Sequence, residues 1–504
     1  MNYLYTVFKT KKSCYLYDAV TNRIFTISPV LYTYHKIIFK ALGDEKVLVP
    51  LKTHHDYGKI VRTLGEVRDA LDSGLIRPNK IKHVIFDFEY EEYINNLAHS
   101  MRYMMLEITE RCNLRCSYCC YSGHYRFKRI HGTISMPLIT AMEAVKFFHS
   151  HSSDSPVVRI GFFGGEPLLE FETITKIVEY AETLFRSTDK TRSYEMISNG
   201  TLLTENVLDW FASLQSRNSR ISTRIIITLN GPGNIHDRHR VTENGRGTHQ
   251  VILNNLTLFA GKYPKIFREN LVIQANYLSH GEIPCIIDFF NSQPLFKGIP
   301  VLLNQATLAN CDAHIRNLAA MPGSGSRSKA RIFKALRDKL MVELKSEQEG
   351  RTILKSFIGD RLFQIHQRKM AELGENICFN GVCKPLLSRF FVKTDGTLHI
   401  CERMDEMRGL GSVLSGIDVK ETKRLLTFFS TTLEKNCRSC FAVRLCSICF
   451  EHLLNSNGYD RVKHAFSCNN SRKRLLEDLR AYCESRELHG DIFRDPGKQA
   501  EETA

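Results

Sequence analysis

The chain has 504 residues, 43% of them hydrophobic and 24% charged, with a net charge of +15; that length supports two to four domains with ample buried core. No stretch reaches the roughly 18 uninterrupted apolar residues of a membrane span, and the first residues, MNYLYTVFK, show no basic start followed by an apolar run, so neither a membrane span nor an export signal is expected and the location is read as cytoplasmic. Sixteen cysteines in such a chain argue for metal rather than disulfides, because the cytosol keeps thiols reduced. The net charge invites a nucleic-acid reading, but the Lys and Arg residues are spread along the sequence instead of forming one long run; an acidic peptide partner explains it equally well, and no nucleic-acid partner is expected.

In chain order, residues 12–37 read as a strand, an Asn22-containing turn and a second strand, and helical stretches follow to about residue 75. From about residue 104 to 304, strand-like runs at 104–109, 157–163, 194–198, 224–229, 271–277 and 301–304 alternate with amphipathic helical stretches at 137–150, 168–185, 205–214 and 249–263. Six such units predict a parallel sheet with helices outside it, an α/β fold in the form of a partial (β/α)6 barrel. A Gly/Ser-rich linker at 321–328 precedes a helical run at 329–370. The divisions expected are 1–95, 96–310, 311–375, 376–470, and a C-terminal helix and tail at 471–504 that frays beyond about residue 484. Cys14, Cys285, Cys311 and Cys483 are read as buried small hydrophobes.

The unusual residues of the barrel fall where its strands end. Cys112, Cys116 and Cys119, spaced C-x3-C-x2-C, follow the first strand; Gly164-Gly165-Glu166-Pro167 follows the second; Ser198-Asn199-Gly200 ends the third; and Asn230-Gly231-Pro232 ends the fourth. All four lie at the C-terminal edge, the edge that carries the active site in β/α barrels. Three thiolates on one loop leave an iron of a four-iron cluster open to a ligand, since four cysteines would close it. A zinc knuckle is the alternative, with Cys120 as a fourth ligand.

This pattern, with Tyr118 directly before the third cysteine, resembles the radical S-adenosylmethionine enzymes. The resemblance implies a 4Fe-4S cluster on Cys112, Cys116 and Cys119. It implies the methionine amino group of S-adenosylmethionine at Gly164, Gly165 and Glu166, the ribose at Ser198 and Asn199, and the adenine near Tyr118. Residues 228–240 look like a segment common in peptide- and protein-modifying members, with Asn230 where those members usually have Asp; His236, Asp237 and Arg240 match and are read as scaffolding.

A second array reads Cys378, Cys383, Cys401, Cys437, Cys440, Cys446, Cys449 and Cys468. It is similar to the SPASM domain of anaerobic sulfatase maturases and peptide maturases. By that resemblance one auxiliary 4Fe-4S cluster takes Cys378, Cys383, Cys401 and Cys449, and another takes Cys437, Cys440, Cys446 and Cys468, three clusters in all. Two residues stand between Cys446 and Cys449 where the family usually has three. A pair of structural zinc sites is the alternative. Glu402 stands where sulfatase maturases have an Asp thought to deprotonate substrate, which makes it the candidate catalytic residue.

The arrangement of residues 1–95 resembles the small leader-peptide-recognition domains that bind a precursor strand by edge pairing. Together these features predict an enzyme that installs a cysteine-derived thioether crosslink in a ribosomally made precursor peptide, reduced by a partner such as flavodoxin or ferredoxin. Formylglycine formation on a sulfatase, or a carbon-carbon peptide crosslink, is the alternative chemistry. A metal-stabilised RNA-binding module is the distant one.

Overall fold

The computed structural model describes residues 2–86, 89–320, 325–345, 352–378, 383–404, 409–490 and 493. Residues 321–324 of the linker expected at 321–328 and most of the tail beyond 490 lie outside the described residues, and 326–328 already belong to the helix Ser326–Lys345.

The chain opens with β1 (Tyr5–Lys9), β2 (Cys14–Asp18) and β3 (Arg23–Ile27), an antiparallel sheet in the order β1-β2-β3. The turn between β2 and β3 closes on Asp18, whose carboxylate accepts from Thr21 N at 2.9 Å, and Asn22 takes a left-handed φ of 60°, a conformation asparagine tolerates. The second strand does not run to residue 37 as the alternation suggests. Ser28 accepts from Leu31 N and Pro29 occupies the first turn, so a helix, Pro29–Ala41, begins two residues after β3. With the helix Tyr57–Asp72 it closes a core of Leu16, Ile38, Ile60 and Leu64.

The barrel strands are β5 (Tyr103–Thr109), β6 (Val157–Gly164), β7 (Thr191–Ser198), β8 (Ile221–Thr228), β9 (Leu271–Tyr277) and β10 (Val301–Gln305), all parallel, after the short β4 (His83–Ile85). Alternation sorts their side chains. Met104, Leu106 and Ile108 pack outward with Ala141, Val145 and Phe148 of the helix Leu138–Ser150. Tyr103, Met105 and Glu107 face inward, where they meet Arg389 and Arg129.

The sheet is wider than the six predicted strands. β11 (Asn376–Cys378) pairs with β4, while β12 (Phe390–Val392) lies parallel against β5 and β13 (Leu398–His399) antiparallel against β12, giving the order β10-β9-β8-β7-β6-β5-β12-β13. The cysteine-rich part of the chain therefore continues the barrel sheet. Within the run expected to be helical at 329–370, the structure has the helices Ser326–Lys345 and Asp360–His366. The last helix, Arg461–His489, runs without a break through the boundary expected at 470. Of the four scattered cysteines, Cys311 and Cys483 are buried, Cys14 is half-buried, and Cys285 is exposed, contrary to expectation; it lies on the solvent-facing side of the helix Ile283–Ser292.

Candidate active site

The cysteine loop is clamped from two sides. On one, Arg115 N donates to Val241 O at 2.7 Å and Ser117 N to His239 O at 2.9 Å. On the other, the turn after β6 docks against the residues that lead into Cys112: Gly165 N donates to Thr109 O at 2.7 Å and Glu166 N to Arg111 O at 2.8 Å. A Cβ on Gly164 would lie 2.2 Å from Thr109 O and one on Gly165 would lie 2.0 Å from Arg111 O. The two glycines thus admit the cysteine loop itself.

Glu166 is fully buried and turned into the protein. Its oxygens accept from Leu168 N at 3.0 Å, Ser198 Oγ at 2.9 Å and Asn199 N at 2.7 Å. Burial pushes its pKa up, against the pull of these hydrogen bonds and of Arg240. The side chain locks the β6 turn to the end of β7, so the candidate residues Gly164, Gly165, Glu166, Ser198 and Asn199 form one connected unit. Asn199 continues the connection to the cysteine loop, donating to Asn113 Oδ1 at 2.8 Å, while Asn113 donates to Thr201 Oγ1 at 2.9 Å.

Tyr118 points its hydroxyl inward, accepting from Asn230 Nδ2 at 2.8 Å and Arg240 Nη1 at 3.3 Å. Asn230 also accepts from Asn276 N at 2.9 Å, a pair of bonds to which an amide brings both a donor and an acceptor. His236 accepts from Asn230 N at 3.1 Å and meets Thr248 Oγ1 at 3.1 Å; burial lowers its pKa to about 2, so the ring is neutral. Asp237 accepts from Thr248 N and His249 N and fixes the start of the helix His249–Lys262.

Arg240 is the group that sequence reasoning undervalued. Its guanidinium is buried beside Cys112, Cys116 and Tyr118, and its Nε has no hydrogen-bond partner. Among the described residues no carboxylate lies within 4.0 Å of it; a buried cation so placed is costly, and thiolates at this place would offset it. In the sequence it is one of 69 basic residues; only its position ten residues after Asn230 marked it.

Burial pushes the Cys112 thiol up to about 11. Among the described residues, no three cysteine sulfurs lie within 4.8 Å of one another, whereas a single tetrahedral zinc with bonds of about 2.3 Å would hold its sulfurs about 3.8 Å apart. The wider triad, with an adjacent buried cation, fits a polynuclear cluster on Cys112, Cys116 and Cys119.

The C-terminal cysteines fall into two neighbourhoods. Burial and then the nearby Cys440, Cys446 and Cys468 push Cys437 up. Burial and then Glu402 push Cys401 up to about 12, with Cys449 also raising it, and Cys449 in turn feels Cys383. Cys449 Sγ lies 3.2 Å from His452 Nδ1. Cys378 ends β11 and is exposed. Glu402 is ion-paired with Arg389 at 2.8 Å, and Arg389 lies 5.0 Å over the Tyr103 ring. Tyr103 opens β5 and the cysteine loop follows its other end; Lys128, nine residues after Cys119, donates to Arg403 O and, at 2.8 Å, to Met404 O, which ties the segment of Glu402 to the loop. Between them, Glu107 holds Arg129 through one oxygen while the other, buried, has no hydrogen-bond partner.

Residues 106–272 match the Radical SAM superfamily. The matched stretch holds most of β5, the three-cysteine loop and β6 to β8, and is a radical SAM domain. The chain is 24% identical over 352 residues to a cysteine-type anaerobic sulfatase-maturating enzyme of Clostridium novyi, covering 67% of this chain and 81% of that protein. It is 19% identical over 304 residues to the radical SAM cyclopropyl synthase TigE of Paramaledivibacter caminithermalis, 58% of each. An uncharacterized protein of Methanocaldococcus jannaschii is 31% identical over 113 residues, 22% of this chain and 35% of that one; the chain thus spans about a third of that relative. Among solved structures, native anSMEcpe with bound AdoMet and Cp18Cys peptide superposes with a TM-score of 0.53 at 17% identity, over 76% of this chain and 99% of that one, a likeness of fold.

Proposed function

We infer that the chain is a peptide-modifying radical S-adenosylmethionine enzyme with a SPASM-type C-terminal module, and that it joins a cysteine sulfur to a carbon of a ribosomally made precursor peptide. The observation that carries this reading is the polar barrel interior, where the loop Cys112–Cys119 and the segment of Cys401 and Glu402 are joined through Lys128. When bound, the cluster supplies the electron that splits the sulfonium of S-adenosylmethionine to a 5′-deoxyadenosyl radical, which takes a hydrogen atom from substrate. Cys112, Cys116 and Cys119 would hold the cluster, and Arg240 presents positive charge to the Cys112 and Cys116 thiolates. Glu166 fixes the turn against which the cofactor lies, and the barrel wall excludes water. In the product the S–H and one C–H give way to an S–C bond, so the peptide is two hydrogens lighter and one thiol poorer. Glu402, on the segment that Lys128 ties to the cysteine loop, takes the thiol proton, and Arg389 holds its carboxylate in place. Cys378, Cys383, Cys401 and Cys449, and Cys437, Cys440, Cys446 and Cys468, would hold two auxiliary clusters, which would supply an acceptor for the second electron, and flavodoxin or ferredoxin would supply the first. The free edge of β3 receives the precursor's leader.

Formylglycine formation is the second reading, favoured by the sulfatase-maturating relative. The test compares anaerobically reconstituted, reduced wild type with a Cys112, Cys116, Cys119→Ala variant for 5′-deoxyadenosine; equal yields would end the radical reading. Product mass then separates the chemistries, since only a thioether consumes a free thiol while losing two hydrogens. Glu402→Gln is expected to stop product while deoxyadenosine still forms; a normal product yield would remove its role as base.

A further inference from the structure

The open side of the barrel ends in a cleft that the site above does not use. β10 is the edge of the eight-stranded sheet, so one row of its backbone N–H and C=O groups has no strand partner. Leu302 to Gln305 form one wall of a cavity of about 550 Å³, and the helix Arg461–His489 forms another; ligand pockets run about 300–1,000 Å³. Five basic side chains, Lys329, Arg337, Arg361, Lys473 and Arg474, line it against Glu477 and Asp478. Arg361 lies 3.6 Å from Asp478 and Arg337 lies 3.8 Å from Glu484. Lys473 and Arg474 are exposed, and among the described residues no carboxylate lies within 4.0 Å of either.

The cleft reaches towards both cysteine arrays. At its inner wall Asn304 pairs with Asn276, whose N–H donates to Asn230, the residue that holds Tyr118 beside Cys119. At the other end Arg474 also lines a second cavity of about 170 Å³ with Ser447, Ile448 and Ser467, which neighbour Cys446, Cys449 and Cys468 in the chain.

We propose that this cleft binds an acidic, extended segment of the peptide substrate, with its backbone along β10 and its carboxylates on Lys473 and Arg474. The proposal rests on the peptide-modifying reading and names the substrate's charge and conformation. Five residues of β10 offer about 17 Å of edge, the span of about five extended residues. Alternating backbone donors and acceptors match a peptide main chain and not a nucleic acid.

The experiment is fluorescence anisotropy of a fluorescein-labelled decapeptide of alternating Glu and Val, titrated with the full-length, iron-loaded protein under anaerobic conditions. The peptide is expected to bind, more weakly as salt rises. K473E/R474E should lower its affinity at least tenfold, and a peptide with Lys in place of Glu should bind that variant more tightly than wild type. K265E/R268E, on the outer helix Pro264–Asn270, should change affinity less than twofold, which separates the cleft from net charge. No binding, an equal loss in both variants, or preferential binding of an oligouridine with the same sensitivity to K473E/R474E would overturn the proposal. Because the readout is equilibrium binding without turnover, its failure leaves the deoxyadenosine assay to judge the radical chemistry separately.

Discussion

Replacing Gly165 by alanine tests the docking of the β6 turn on the cysteine loop. The added Cβ would lie 2.0 Å from Arg111 O and 2.4 Å from Arg111 C, both backbone atoms, so no side-chain rotation relieves the overlap. A tolerable contact of about 3.0 Å requires the two segments to part by about 1 Å. That displacement breaks the hydrogen bonds Gly165 N to Thr109 O and Glu166 N to Arg111 O. Each broken bond strands one group of a buried residue, Thr109 O and Glu166 N, at about 1–3 kcal/mol, so the pair costs about 2–6 kcal/mol. Arg111 directly precedes Cys112, so the loop moves with it, and a 1 Å misplacement at a reacting site is worth about 100-fold in rate. Thermal unfolding, iron content after reconstitution and deoxyadenosine formation should all fall in Gly165→Ala. A rate within twofold of wild type, with an unchanged thermal midpoint, would refute the reasoning.

The contrasting glycine is Gly261, inside the helix His249–Lys262 with nothing within 4 Å of its missing Cβ; Gly261→Ala should stabilise the protein by up to about 1 kcal/mol in urea unfolding. His236, with its pKa lowered to about 2 by burial, stays neutral in the fold while the unfolded chain takes up its proton near pH 6.5. Its contribution is therefore complete above about pH 6.5 and is lost at about 1.36 kcal/mol per pH unit as pH falls towards 2. Urea midpoints between pH 6.5 and 4.5 should show a slope shallower by that amount in His236→Gln, and an identical slope would exclude the residue as its source. In Glu166→Gln the amide NH2 faces either Asn199 N or the pair Leu168 N and Ser198 Oγ, and the one remaining oxygen cannot accept from both sides. Equilibrium dialysis should find S-adenosylmethionine affinity lowered at least tenfold, and unchanged affinity would mean the turn holds its shape without the carboxylate.

The six barrel strands were legible because each is five to eight residues long and carries enough alternation or apolar character to mark itself. β12 and β13, three and two residues long, carry too little pattern to be read, and their pairing with β5 is a long-range fact that no local signal encodes. The helix at Pro29 was readable from Ser28-Pro29, a cap followed by a first-turn proline, but the apolar residues beyond it overlap with strand alternation. The site residues were found by motif, and their physical work differs from what a motif conveys. Gly164 and Gly165 accommodate the cysteine loop, and Glu166 spends both oxygens on the protein. Arg240 and Asn113 owe their place to a fold that brings the ends of β5, β7 and β8 together.

β12 joins the sheet at Phe390 opposite Met104, 286 residues further along the chain. At a synthesis rate of about 5–20 residues per second, about 15–60 s separate the two strands' emergence from the ribosome. Throughout that interval one edge of β5 has no partner, an invitation to wrong pairing, and the cysteine loop at its end stands beside an unfinished wall. Late closure of this kind makes the folding of the nascent enzyme slow by topology, and it sets an order of assembly in which the C-terminal third completes a compartment that the N-terminal two thirds have left open.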